Sequence, residues 1–305
     1  MKTYVVGHKN PDTDSVVSAI ALAELDKKLG KDFEAAIAGE VNKETKYVLD
    51  KFGFQVPKII LGEEKKVFLV DHNEPSQASD SVKTEEIVGI IDHHKLGGLS
   101  TSIPISIRVK PVGSTSTIMT QVYKEKGVEI SSDIAGILLA GIISDTWKFT
   151  SPTSTEEDQK QADFLNKIAK IDMTKLAEEM FAAKSDLTGI DTEKLINADY
   201  KEYDIKGKKV GVGVFETLDT IPVLERTEEI KKILGDKKTK KGLDYLLFAI
   251  VGIINKKAYF IIASEEDKDL VEKSFNTIEE NSCLVADGIV SRKKQITPAL
   301  ENTIR

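Results

Sequence analysis

The stretch Gly7-His8-Lys9-Asn10-Pro11-Asp12-Thr13-Asp14-Ser15 separates two kinds of hydrophobic pattern. Before it, Tyr4-Val5-Val6 is a short apolar run. Beyond it, Val16, Val17, Ile20, Leu22, Leu25 and Leu29 recur at helix-like spacing. The pattern predicts a strand, a tight polar turn and a helix. Such a turn sets its side chains outside the carboxyl end of a strand, where open α/β sheets bind ligands. His8, Asp12 and Asp14 are therefore expected at a sheet edge. Asn-Pro and aspartate are also ordinary turn and cap residues, so this segment alone leaves metal binding and plain turn chemistry both open.

Residues 33–38 read as a second strand and 44–52 as a short helix. Val67-Phe68-Leu69-Val70 is a continuous apolar run, the mark of a strand buried on both faces. It stops at Asp71-His72-Asn73-Glu74-Pro75. Ile87-Val88-Gly89-Ile90-Ile91 repeats the arrangement and stops at Asp92-His93-His94. After a run at 105–109, Gly113-Ser114-Thr115-Ser116 is a cap-like opening to a helix at 117–126. A second helix, 134–143, ends at Ser144-Asp145-Thr146. This alternation predicts an α/β fold whose N-terminal domain is a doubly wound, mainly parallel sheet. Parallel strands place their carboxyl ends on one edge, so clusters distant in sequence become neighbours.

Helical patterns continue through 155–183. The polar, glycine-ended stretch Lys184-Ser185-Asp186-Leu187-Thr188-Gly189 then suggests a break. The expected division is a catalytic domain at 1–184, a flexible linker at 185–190 and a smaller α/β C-terminal domain at 191–305. In that second domain, 210–215, 246–254 and 258–263 resemble strands and 225–234 a helix. Asp236-Lys237-Lys238-Thr239-Lys240-Lys241 is expected to be an exposed loop, because charge runs are usually solvated.

Composition narrows the class. The 305 residues are 40% hydrophobic and 30% charged, with a formal net charge of -7. That balance argues against a nucleic-acid binder acting through a general basic surface. The single cysteine, Cys283, cannot form an intrachain disulfide and is expected to be a buried small hydrophobe in a reducing compartment. The longest apolar runs, at 134–143 and 246–254, fall short of the roughly 20 residues of a membrane helix. No long apolar signal segment follows Met1-Lys2-Thr3. A soluble cytoplasmic protein with no membrane partner is expected.

All four histidines, His8, His72, His93 and His94, fall at the ends of expected strands. With Asp12, Asp14, Asp71, Asp145 and the adjacent Asp92, they form a set of carboxylates and imidazoles. This chemistry suits a borderline divalent metal such as manganese better than magnesium alone. No thiolate accompanies them, which weighs against a structural zinc site. His8, Asp12, Asp14, Asp71, His93, His94 and Asp145 are enough for two ions and too many for one. Four aspartates among them would balance two divalent charges, so an anionic substrate would need cations from elsewhere.

The C-terminal part supplies candidates. Asp287-Gly288-Ile289-Val290-Ser291-Arg292-Lys293-Lys294-Gln295 carries three consecutive cations. Arginine grips phosphate oxygens with a planar fork and lysine acts as a point charge. Alone the run reads equally well as a solvated patch, and Lys201, in Asp199-Tyr200-Lys201-Glu202-Tyr203, is less distinctive still.

Together, His8-x3-Asp12-x-Asp14, Asp71-His72-Asn73, Asp92-His93-His94 and Ser144-Asp145 resemble the DHH phosphoesterase superfamily. Ser291-Arg292-Lys293-Lys294-Gln295 looks like the signature of its family II, manganese-dependent inorganic pyrophosphatases. The resemblance spans nearly the whole chain, has no large insertion, and so is to the short form without regulatory domains. It implies His8, Asp12 and Asp71 on one metal, and Asp14, Asp71, His93 and Asp145 on the other, with Asp71 bridging. His94, Lys201, Arg292 and Lys293 would bind substrate and act in catalysis, while His72 and Asp92 would orient ligands by hydrogen bonds.

The function so implied is hydrolysis of inorganic pyrophosphate to two orthophosphates by a metal-bridged hydroxide, at a dinuclear Mn²⁺ site between two domains. Co²⁺ is a possible substitute, and further Mg²⁺ or Mn²⁺ would arrive with the substrate. A homodimer through the N-terminal domain is implied by resemblance alone. Competing expectations are cleavage of polyphosphate, a phosphodiesterase for oligonucleotides or cyclic dinucleotides, and a non-enzymatic metal-sensing regulator. The nucleotide reading would need an aromatic surface for bases, yet aromatics are only 6% of the chain.

Overall fold

A computed structural model describes residues 2–62, 65–280 and 282–304, with only the backbone of Lys293 included. The chain divides into two compact units, Met1–Lys184 and Ser185–Arg305.

The first unit opens with β1 (Thr3–Val6), α1 (Thr13–Lys28), β2 (Phe33–Ile37), α2 (Lys43–Lys51) and β3 (Lys58–Ile59). Next come β4 (Lys66–Val70), β5 (Ile87–Asp92) and β6 (Ser106–Val109). Four helices follow: α3 (Thr115–Lys126), α4 (Ser132–Thr146), α5 (Glu156–Ala169) and α6 (Met173–Ser185). The strands pair in the order β3-β2-β1-β4-β5-β6, every pair parallel, so the expected parallel α/β sheet is present. Strand periodicity divides the burial between two faces. Val5, Ile37, Val70 and Ile91 pack with the buried residues of α1 to α6, and Val6, Ala36, Leu69 and Ile90 form a smaller cluster on the other side. Order reverses at β1, with β2 on one side and β4 on the other. That switch point is where open parallel sheets leave a crevice.

Capping fixes where the first helix begins. The Asp12 side chain accepts from Ser15 N, and Ser15 Oγ from the Asp12 N–H, a reciprocal box that ends the turn and starts α1. Gly141 allows α4 to come close. A Cβ there would lie 2.8 Å from Asp14 Oδ1 and closer still to Ser116 Oγ.

The second unit contains α7 (Thr192–Asn197), β7 (Tyr200–Ile205), β8 (Lys208–Thr217), α8 (Ile221–Leu224) and α9 (Thr227–Lys241). It continues with β9 (Tyr245–Gly252), β10 (Lys257–Ile261), α10 (Glu265–Ser274), β11 (Thr277–Glu280), β12 (Cys283–Asp287) and α11 (Thr297–Thr303). Its sheet runs β11-β12-β10-β9-β8-β7. Only β8 with β9 is parallel among the described pairs. Val212, Leu247 and Phe260 pack with α10 and α11, whereas Leu246, Phe248 and Ile250 pack with α7 to α9. Cys283 is buried and unpaired, a small hydrophobe as expected.

Residues 236–241 are the last turns of α9 and not a loop. Charge does not mean lack of structure: Ile230 and Leu234 bury one face of this helix, Lys240 and Lys241 stay at the surface, and Lys238 turns inward to the buried Asp267. Lysines at its end also face the negative pole of the helix, and Gly242 closes it at φ 61°. The expected helical patterns at 155–183 are two helices, α5 and α6, parted at Lys170 (φ 54°).

Candidate metal centre

Strands β1, β4 and β5 end side by side, and each delivers side chains to the same place. His8 follows β1, and its Nε2 lies 3.2 Å from Asp12 Oδ2 and 3.4 Å from Asp71 Oδ2. Asp71 follows β4 with φ 63°, a left-handed backbone that aspartate tolerates better than most residues. His93 follows β5, with Nε2 3.3 Å from Asp71 Oδ1 and 3.5 Å from Asp145 Oδ2. Both sets of ligand atoms that the motifs imply are gathered within 4.8 Å, His8, Asp12 and Asp71, and Asp14, Asp71, His93 and Asp145; a third set, Asp71, His93 and His94, is gathered as closely. Asp71 belongs to all of them.

The surroundings hold these groups in one orientation. His93 Nδ1 donates to the Val112 carbonyl at 3.0 Å, so its Nε2 is the atom presented to the carboxylates. Asp92 accepts from the His93 and His94 N–H groups, from His94 Nδ1 at 2.9 Å and from Asn73 Nδ2 at 2.6 Å. His72, buried, donates from Nδ1 to the Val70 carbonyl at 2.9 Å. Asp14 receives the opening of α3: Ser114 Oγ, the Thr115 and Ser116 N–H groups and Ser116 Oγ all donate to it. Thr115 Oγ1 donates to Asp71 at 2.9 Å. After α4, Trp147, Lys148 and Phe149 all take positive φ (46°, 52° and 68°), a conformation costing about 1–2 kcal/mol per residue. The Lys148 N–H bonds back to the Ile143 carbonyl and helps fix the stretch that carries Asp145.

Burial and mutual charge perturb the titrations. For His8, burial alone would lower the pKa, but the hydrogen bonds and charges of Asp12 and Asp71 outweigh it and raise it to about 10. The same contest, with Asp71 the main partner, puts His93 at about 9. Burial would raise Asp71, yet the two imidazoles hold it below the carboxylate range. Asp14 is pushed to about 6 by burial and by the Asp71 charge, and Asp145 is raised by burial and by Asp14, Asp12 and Asp71. His94 is raised chiefly by its hydrogen bond to Asp92.

Of the buried side-chain atoms without a hydrogen-bond partner, Asp71 Oδ2 and His93 Nε2 belong to this cluster. Buried polar atoms are normally paired. Two at the centre of a carboxylate–imidazole cluster are what a divalent cation would satisfy, and the oxygen and nitrogen donors fit manganese. The residues present therefore fit the metals that the motifs imply.

In the second unit, Arg292 begins a single π-helical turn, Arg292–Ile296, a rare form frequent at functional sites. Its guanidinium donates to the Asp199 carbonyl and pairs with Asp199 Oδ1, both at 2.8 Å. Gln295 closes the turn by accepting from the Val290 and Ser291 N–H groups and donating to the Gly288 carbonyl. Lys201 is exposed on β7, and the Lys293 side chain lies outside the described residues. The grip of Ser114 to Ser116 on Asp14 and Asp71 was hidden behind an ordinary cap signal. The Asp199–Arg292 pair had no signal at all.

Comparison with known proteins follows the same lines. The DHH family, N-terminal domain, matches residues 2–142, and the DHHA2 domain matches 178–303. The chain is 42% identical to a Bacillus licheniformis protein named "probable manganese-dependent inorganic pyrophosphatase", over 100% of this chain and 99% of that one. It is 43% identical to a protein of the same name from Exiguobacterium, over 98% of each. The crystal structure of a Methanococcus jannaschii protein assigned to the family II inorganic pyrophosphatases matches with a TM-score of 0.65 and 40% identity over 99% of both chains. An exopolyphosphatase-related protein of Bacteroides fragilis shares the fold, at 16% identity and a TM-score of 0.51. With such identity sustained along its whole length, this chain belongs to the manganese-dependent inorganic pyrophosphatases, the DHH–DHHA2 proteins of family II.

Proposed function

We propose that the chain hydrolyses inorganic pyrophosphate to two orthophosphates at a dinuclear manganese centre. The observation that carries the activity is full-length identity of 42–43% to relatives named for it. His8, Asp12 and Asp71 would hold one ion, and Asp14, Asp71, His93 and Asp145 the other. When bound, the pair supplies an activated water and neutralises phosphoryl charge.

The rest falls to the chain's own groups. With its Nδ1 proton engaged by Asp92, His94 has Nε2 free to donate to a phosphoryl oxygen, and its raised pKa favours the protonated form. His94 is therefore assigned as the general acid or hydrogen-bond donor. Arg292, Lys293 and Lys201 are assigned to the phosphate oxygens, the arginine as a fork and the lysines as point charges. The first unit would bind metal and the second bind substrate, with a hinge near 185–190. His72 and Asp92 would orient ligands.

Co²⁺ as a substitute, extra Mg²⁺ or Mn²⁺ brought by substrate, a homodimer through the first unit and a cytoplasmic location belong to the same proposal. No helix among the described residues is long and apolar enough to cross a membrane. Phosphate release from pyrophosphate, tripolyphosphate, long-chain polyphosphate, short RNA and a cyclic dinucleotide, measured side by side with Mn²⁺, tests the substrate. Pyrophosphate should be cleaved fastest; if it is the poorest of the five, the proposal fails.

A further inference from the structure

Glu44 is a carboxylate with no solvent exposure, set in the first turn of α2 and far in sequence from every motif discussed above. Its Oε2 accepts from Thr13 Oγ1 at 3.1 Å and from Ser144 Oγ at 2.9 Å, and pairs with Lys184 Nζ at 3.2 Å. Its Oε1 is buried without a partner. The donors are not scattered. Thr13 stands between Asp12 and Asp14, and Ser144 immediately precedes Asp145. One oxygen thus joins the start of α1 to the end of α4, the two helix ends that carry three of the candidate ligands.

We infer that Glu44 is a positioning residue for the metal centre, with Lys184 as the cation that keeps its carboxylate in place. This rests on the manganese-dependent reading above and deepens it. Burying a charged side chain is costly unless partners compensate. Here each partner is fixed one residue from a ligand or ends the first unit. Holding Thr13 and Ser144 at one point sets the spacing between the backbones of Asp12, Asp14 and Asp145 before any ion arrives. Metal sites need that spacing held closely, and groups supporting ligands commonly change affinity by about 10–100-fold when altered. Lys184 also places a positive charge beside a cluster otherwise rich in aspartates.

The test is Mn²⁺ binding by calorimetry, with pyrophosphate hydrolysis at limiting and saturating Mn²⁺, in the wild type, Glu44→Gln and Lys184→Met. Glutamine keeps an oxygen for the two hydroxyls but loses the ion pair. Its Mn²⁺ affinity should fall about 10–100-fold, with activity restored by excess Mn²⁺ and KM for pyrophosphate within about twofold of wild type. Lys184 is 37% exposed, so its replacement leaves the core intact, and a smaller loss in the same direction is expected. Mn²⁺ affinity unchanged in both variants would overturn the inference, as would a loss in Glu44→Gln that no excess of Mn²⁺ restores. Unchanged affinity in Lys184→Met alone would remove the lysine from it. A wild-type protein that neither binds Mn²⁺ nor cleaves pyrophosphate would instead overturn the functional reading.

Discussion

The two units handle charge in opposite ways. In the first, acids and imidazoles are drawn into the carboxyl edge of a parallel sheet, and Asp71 at their centre is 1% exposed. In the second, the cations lie on a mostly antiparallel framework; Lys201 is at the surface and Arg292 is held by one aspartate. Preorganisation is needed where like charges gather. Ligands for a cation repel one another, so they must be fixed by burial and hydrogen bonds before the ion binds. Of the cations proposed for the anion, Lys201 reaches from the surface, whereas Arg292 is 11% exposed and oriented by Asp199.

The largest effect should come from Asp71→Asn, which removes the carboxylate common to both ligand sets. Activity should fall by more than about 10³-fold and calorimetry should show at least one Mn²⁺ site lost. Next, Arg292→Ala should lower kcat/KM by about 10²–10³-fold, the range for losing a transition-state charge donor. Mn²⁺ affinity should stay within twofold, and a parallel loss of metal would break the contrast between the units. Asp92→Ala frees His94 and Asn73 and should weaken Mn²⁺ binding by about 10-fold or more, with a flattened pH profile of activity.

The smallest effect is a matter of protons. His8 and His93 are raised to about 10 and about 9 without metal, so their ion pairs stabilise the metal-free fold fully below pH 6.5 and lose that contribution as pH rises through 9–10. Metal ligation requires the same imidazoles to be neutral. Mn²⁺ affinity should therefore rise with pH, by about tenfold or more from pH 6 to pH 8, with proton release visible in buffers of different ionisation enthalpy. A flat dependence would show that the imidazoles do not ligate.

Much of the first unit was legible because its strands are continuous apolar runs with abrupt polar ends. Val67 to Val70 and Ile87 to Ile91 each stop at an acid or histidine, and a parallel sheet gathers such ends. The supporting contacts were not legible. Glu44 sits among charged residues typical of a surface helix, and only tertiary packing buries it. In the second unit, β7 exposes three of its six residues and β11 three of its four, so neither shows a sustained apolar alternation. Lys240 and Lys241 mark a solvated surface, which a helix supplies as readily as a loop, and the inward turn of Lys238 to Asp267 leaves no trace in the sequence. Function was clearer than architecture there, since Ser291 to Gln295 is distinctive although its π-helical turn is not.

The backbone at the end of β4 carries a last consequence. Position 71 is left-handed, and the side chains at ease there are chiefly glycine, asparagine and aspartate. Only one of these is an anion. The residue is thus selected twice, by the bend of the chain and by the cations it would share, and the two demands overlap at a single amino acid. Glutamate would keep the charge and fight the bend; asparagine would keep the bend and forfeit the charge. No neighbouring choice leads away from it.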